Sequence, residues 1–231
     1  ARLGTPIEEV FPYDYLIAST EESLRNLGVD CIDLQQFHVW APNWLANHDW
    51  QRAIHDLKRA GKIRYAGISI NDHQPASAIS ALETGLIDAV QVIYNVFDQS
   101  PEQALFPKCH ELNIGVIARV PLDEGALTGK ITESTSFPAG DFREFYFSGN
   151  RKSQVVQHVS ALQRDLAHES GTLAELALRF VLTHPAVSTV IPGMRSIRNV
   201  ESNCAVSDAG PLSPQTMTVM KKHAWTKNFY Q

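Results

Sequence analysis

The sequence predicts an α/β fold in which parallel strands alternate with helices, of the (β/α)8 TIM-barrel type, and three observations carry the prediction. Short apolar, partly β-branched runs at residues 32–38, 63–70, 89–94, 115–120 and 187–191 alternate with segments of helical periodicity. The runs are almost continuously apolar, as strands covered on both faces require. No G-x-G-x-x-G follows any of them, so the fingerprint of an open doubly wound sheet is absent and the barrel is preferred to it.

Taken in order, Ser19 and Glu22 are spaced as a capping box ahead of Leu24 and Leu27, with Gly28 placed to end that helix in the left-handed conformation. After the first strand, Asp49 is expected to cap a helix in which Trp50, Ala53, Ile54 and Leu57 share a face and which Gly61 stops. Pro75 opens a third helix with Gly85 past its end, and Ser100-Pro101 opens a fourth. Residues 121–152 then lack periodicity, and a connection beyond about 15 residues is uncommon and often functional. This long loop carries Phe137, Phe142, Arg143, Phe145, Tyr146 and Phe147, which suits either aromatic packing onto a barrel rim or a lid over a ligand. Val155, Val159, Leu162 and Leu166 share one helical face. Thr172 and Glu175 form a second capping box ahead of Leu173, Leu176, Ala177 and Phe180. The segment from Ser213 to Gln231 is a terminal extension beyond the last strand and its helix.

The chain has 231 residues, 20 basic and 25 acidic, a formal charge of −5, and 44% hydrophobic residues, which suits a single globular domain. With no basic run, it has no electrostatic footprint for nucleic acid or anionic lipid. No apolar stretch approaches the roughly 20 residues that span a bilayer, and the N-terminus lacks the apolar core of a signal peptide. Cys31, Cys109 and Cys204 are odd in number and far apart, so buried thiols in a reducing cytoplasm are expected rather than disulfides or a metal site.

Function in a barrel belongs at the C-terminal ends of the strands. Those ends read Gln36 and His38; Ser69 and Asn71; Gln91, Tyr94 and Asn95; Arg119 and Pro121; Gly193 and Arg195. They hold two arginines and mostly uncharged hydrogen-bonding groups, without the opposed carboxylates of a glycosidase or the clustered ligands of a zinc hydrolase. Such a set suits a polar planar ligand and an anion.

At these positions the chain resembles the aldo-keto reductases, the (β/α) barrel family that reduces carbonyls with NAD(P)H. The resemblance is carried by SLRNLGVDCIDLQQFH, GKIRYAGIS, VQVIYN, GVIARVPLDEGALTGK and LALRFVLTHPAVSTVIPGMRSIRNVESN, in the family's order from Ser23 to Asn203. It implies that His38 is the catalytic histidine that polarises the substrate carbonyl, a role suited to a group titrating near neutrality. Ser69 and Gln91 match positions that hydrogen-bond the nicotinamide carboxamide, although Ile70 stands where the family's usual Asn would be and Asn71 lies one residue beyond. Arg119 replaces a ring that stacks on the nicotinamide; a guanidinium plane can also stack. The resemblance assigns Val120, Pro121 and Leu122 to the pyrophosphate and ribose, with Lys130 and Arg143 adding charge there. It places Gly193 and Arg195 at the adenosine 2′-phosphate and Asn199 and Asn203 on the adenine side. Arg195 favours NADP(H), with NAD(H) as the alternative.

The family's remaining catalytic groups, an Asp and a Tyr after the second strand and a Lys ending the third, have no match in this chain. The resemblance therefore implies an N-terminally truncated member, residues 1–231 forming one reductase domain that lacks three βα units and keeps the strands equivalent to the last five. ARLG resembles the residues just downstream of the family's lysine, and Tyr13 and Tyr15 are not the missing acid. The expectation is a cytoplasmic oxidoreductase that reduces an aldehyde or ketone in its full-length form, with this chain impaired. The alternative is a non-catalytic NADP(H)-binding or interaction protein on the same scaffold.

Overall fold

The computed structural model describes residues 4–231; Ala1, Arg2 and Leu3, which begin the ARLG match, lie outside the described residues. The helices and strands run as α1 (Tyr13–Leu27), β1 (Ile32–Phe37), α2 (Asp49–Arg59), β2 (Ile63–Ser69), α3 (Ile79–Leu82), β3 (Ala89–Ile93), α4 (Leu105–Glu111) and β4 (Gly115–Arg119). After β4 come α5 (Phe142–Tyr146), α6 (Arg151–Asp165), α7 (Leu173–Thr183), β5 (Thr189–Val190), α8 (Ile197–Ala205) and α9 (Pro214–Lys221). The strands form one sheet in the order β1-β2-β3-β4-β5, and β1–β2, β2–β3 and β4–β5 pair in parallel. All five strands lie where the apolar runs predict them, and the α/β expectation with five parallel strands holds. Contacts divide the chain into two units, one made of residues up to Val92 with Pro101–Val116, the other of Ile93–Ser100 with Ile117–Gln231.

In the first unit, the face of α2 predicted from periodicity is buried: Trp50, Ala53, Ile54 and Leu57 are each at most 2% exposed. Trp50 meets Trp40 and Phe37 edge-on at 5.2 and 5.9 Å, and its indole N–H donates to the Trp44 carbonyl at 3.1 Å. A buried indole thus has its partner. Asp88 ties the sheet together just before β3, accepting from Lys58 Nζ at 2.6 Å and from the Ala66 amide at 2.8 Å. In the second unit, Val155, Val159 and Leu162 of α6 and Leu176, Ala177 and Phe180 of α7 are buried, and Tyr94 stacks on Phe180 at 5.8 Å. Thr172 caps α7 as expected, accepting from the Glu175 amide at 3.2 Å.

Several expectations are corrected. Ser19 lies inside α1 and caps nothing; the helix starts after Pro12, whose fixed φ suits a helix entrance. Its end is as expected, with Gly28 left-handed at φ 67°. Asp49 is the first helical residue of α2, and the Asn47 side chain accepts from its amide at 2.7 Å. The Pro75 helix begins as a 3-10 turn, and Ser100-Pro101 opens a 3-10 turn separate from α4. Residues 121–152 hold a tight turn over Asp123–Thr128, in which left-handed backbone at Asp123, Glu124 and Gly125 interrupts any helix, and α5, which are too short to show periodicity. Within it Tyr146 and Phe147 are buried, whereas Phe142 and Phe145 are each 49% exposed.

The cysteines divide as well: Cys109 is buried, Cys31 half-buried and Cys204 exposed. Burial pushes the Cys109 thiol up to about 12, so it stays protonated and unreactive near neutrality. A thiol reagent at mildly alkaline pH is expected to modify Cys204 in the native protein and Cys109 only as the protein unfolds. Whole-protein mass spectrometry with peptide mapping checks this; equal rates at both cysteines would contradict it.

Candidate cofactor site

In the second unit the turn after β4 departs from ordinary backbone. Val120, Asp123 and Glu124 have φ of 54°, 49° and 54°, and Gly125 has 103°. Left-handed backbone at a β-branched residue is strained, and such strain persists only where surrounding contacts hold it. Asn95, fully buried, supplies one hold: its Nδ2 donates to the Val120 carbonyl at 3.0 Å, while its Oδ1 accepts from the Phe97 and Asp98 amides, each at 2.9 Å.

A second hold comes from the C-terminal tail. Lys227 Nζ donates to Asp123 Oδ1 at 2.6 Å and to the Tyr146 hydroxyl at 2.8 Å, and that hydroxyl donates to Asp123 Oδ1 at 2.9 Å. The Lys227 and Asp123 side chains are 6% and 5% exposed. The ammonium also lies 4.7 Å from the Phe229 ring centroid and 5.2 Å from those of Tyr146 and Trp225. Tyr230 donates to Glu124 Oε1 at 2.8 Å. Burial, with the Asp123 charge next, raises the Tyr146 hydroxyl far above the ordinary tyrosine range. This Asp, Lys and Tyr therefore form a buried clasp on the turn and do not make an accessible proton donor.

The clasped turn forms one wall of a pocket of about 480 Å³ that lies wholly in the second unit. Of the twelve residues that the sequence resemblance assigns to cofactor binding, seven line it: Val120, Pro121, Leu122, Arg143, Gly193, Arg195 and Asn199. Glu124, Asp141 and Phe142 complete the polar and aromatic parts of the lining. Ser196 caps α8, accepting from the Asn199 amide at 3.2 Å, so the positive end of that helix adjoins Arg195. Asn203 does not line the pocket; its Nδ2 donates to the Gly193 carbonyl at 3.2 Å and braces that wall. Lys130 is exposed outside the lining, with its amide on Thr128 Oγ1 at 3.3 Å. Arg119 is half-buried at the end of β4, where its carbonyl accepts from the Tyr94 amide at 3.3 Å. Two guanidiniums, an amide and a helix N-terminus make a donor set that fits a phosphate-bearing ligand.

In the first unit the register sets Ser69 directly beside Gln91 on neighbouring strands. Gln36 reaches across, its Nε2 donating to Gln91 Oε1 at 3.4 Å. Gly67 makes room for this: a Cβ there would sit 3.0 Å from Gln36 Cγ. Ile70 is buried, and Asn71 points instead to the Trp40 carbonyl, to which its Nδ2 donates. His38, two residues beyond Gln36 and exposed, borders a smaller pocket with Gln36, Phe37 and Tyr15. Tyr13 is engaged elsewhere, donating to Asp56 Oδ2 at 3.0 Å. Among the described residues no cluster of His, Cys, Asp and Glu could hold a metal ion, and no helix is long and apolar enough to cross a membrane.

The sequence pattern of the Aldo/keto reductase family matches residues 6–224. The chain belongs to the aldo/keto reductases. It is 29% identical over 201 residues to the aldo-keto reductase yakc [NADP(+)] of Schizosaccharomyces pombe, covering 82% of this chain and 56% of that protein. It is 27% identical over 204 residues to the NADH-specific methylglyoxal reductase of Escherichia coli, covering 87% and 62%. The holo form of aldo-keto reductase AKR11C1 from Bacillus halodurans superposes with a TM-score of 0.74 at 29% identity, covering 92% of this chain and 65% of that one. The chain thus spans less than two thirds of the length of each of these aldo/keto reductases.

Sequence reasoning missed Asp141 and Glu124 as pocket residues and Lys227 and Asn95 as the holds on the turn. Asp141 stood two residues from Arg143, a local signal that could have been used. The Lys227 hold crosses 104 residues and had no such signal.

Proposed function

We propose that this chain serves an NAD(P)H-dependent oxidoreductase that reduces an aldehyde or ketone to an alcohol. The observation that carries the reading is the pocket of the second unit, lined by Arg143, Arg195 and Asn199 together with Pro121, Leu122 and left-handed Val120. Membership of the aldo/keto reductases supports it, as do relatives named for NADP(+) and for NADH-specific reduction of methylglyoxal. In this reading Arg195 and Arg143 hold phosphate oxygens, Asn199 meets the adenine side, and Asn203 and Lys130 act from outside the lining. Ser69 and Gln91 bind the carboxamide, Arg119 stacks on the ring, and His38 polarises the substrate carbonyl. When bound, the nicotinamide supplies the hydride.

Arg195→Gln is expected to weaken NADPH binding roughly 10- to 100-fold, the worth of a charge-assisted hydrogen bond, and NADH binding much less. Titration calorimetry checks both. If wild-type chain binds neither nucleotide at millimolar concentration, the reading fails. A second reading, cofactor binding without turnover, is favoured by the clasp at Tyr146: this Asp, Lys and Tyr set is buried and engaged within itself. Following NADPH oxidation over a panel of aldehydes and ketones separates the two, since the second reading requires micromolar binding with no turnover.

A further inference from the structure

Arg143 does not enter the pocket as a free cation. Its Nε and Nη2 donate to Asp141 Oδ1 and Oδ2 at 2.9 and 2.6 Å, a bidentate pair with side chains 32% and 22% exposed. The guanidinium also lies 4.9 Å over the Phe137 ring, so its plane is fixed from two directions. Asp141 caps α5, accepting from the Arg143 amide at 3.0 Å. The hydrogen bonds from Arg143, helped by the charge of Arg195, hold the Asp141 carboxyl well below the usual carboxylate range, so it is ionised throughout the physiological range. Glu124 adds a second carboxylate to the wall. Two carboxylates thus face two guanidiniums, and the lining carries no formal net charge before a ligand arrives.

That balance bears on which dinucleotide the pocket prefers. A phosphate monoester dianion is repelled by a fixed carboxylate, whereas ribose hydroxyls can donate to it. We propose that Asp141 is a cofactor-selecting residue: its carboxylate, in the same lining as Arg195, opposes a 2′-phosphate there and can accept from a ribose hydroxyl, and so reduces the pocket's preference for NADP(H) over NAD(H). The inference rests on the reading that this pocket takes the adenosine end of a dinucleotide.

Asp141→Asn tests it, because Asn is isosteric and among the best N-capping residues, so α5 keeps its start. Dissociation constants for NADPH and NADH are measured by titration calorimetry on the wild-type chain and the variant. The expected result is NADPH affinity increased about tenfold, the order of effect of one elementary charge a few Å away in a medium of intermediate dielectric. NADH affinity is expected to stay the same or weaken, so the ratio of the two constants moves by tenfold or more. A parallel change for both nucleotides, as a merely structural role would produce, overturns the proposal, and so does an unchanged ratio. Failure of wild type and variant alike to bind either nucleotide overturns the dinucleotide reading itself and this assignment with it.

Discussion

Lys227→Met is expected to lower the unfolding free energy by about 3–5 kcal/mol, because it strips a buried carboxylate of its counter-ion. Asp123 is 3% exposed, and its Oδ2 already lacks a hydrogen-bond partner among the described residues, so the loss of the ammonium would leave only the Tyr146 hydroxyl on that group. The neighbouring contacts make the effect large. The same ammonium packs between the Tyr146, Trp225 and Phe229 rings, and Trp225 stacks on His158 with centroids 3.8 Å apart. Denaturant titration followed by tryptophan fluorescence measures the change. Asp123→Asn combined with Lys227→Met is expected to recover much of the loss, since Asn removes the uncompensated charge and tolerates the φ of 49° at that position. A single-variant loss below about 1 kcal/mol, the range of exposed pairs, would show that the clasp does not hold the turn.

Asn95→Ala is expected to cost about 3 kcal/mol, from three hydrogen bonds worth about 1 kcal/mol each, with buried partners left unmet. The side chain is fully buried, and it links the Phe97 and Asp98 amides to the strained Val120 carbonyl. Because Val120 lines the pocket, NADPH affinity is expected to fall along with stability. Asn95→Asp keeps both acceptor bonds but sets an unpaired carboxylate against the Val120 carbonyl in a fully buried site, so it is expected to lose at least as much stability as Asn95→Ala and to lose affinity as well. Denaturation and nucleotide titration on the same samples separate the two effects. If Asn95→Asp binds NADPH as the wild type does, the hold on Val120 does not shape the pocket.

The strands and most of the helices were legible because their signals are local. The apolar runs and the i, i+3, i+4, i+7 face of α2 read directly as structure, and Thr172 with Glu175 capped α7 where their spacing said they would. Ser19 and Glu22 had the same spacing and lay mid-helix, because upstream Pro12 already started α1. In the loop after β4 periodicity had too few residues to act on: α5 is 5 residues long and begins at a single Asp cap. Of the candidate site, the residues that line the pocket from the loops after β4 and β5 and from α8 came from the quoted motifs, whereas Lys130 and Asn203 proved to stand outside the lining.

The sequence by itself determined the alternation of five strands with helices, the family to which that order belongs, and the two arginines that give the pocket its cationic groups. Tertiary structure alone decided how the turn beside the pocket is held: Asp123 is paired by Lys227 from 104 residues away, whereas the Asp141–Arg143 pair is local in sequence. The reason is physical: element formation depends on the spacing of neighbouring residues, while an ion pair forms between whichever opposite charges the packed chain brings within hydrogen-bond distance. The turn that walls the pocket belongs to the second kind, since its left-handed residues are held by contacts from Asn95, Lys227 and Tyr230, distant in sequence.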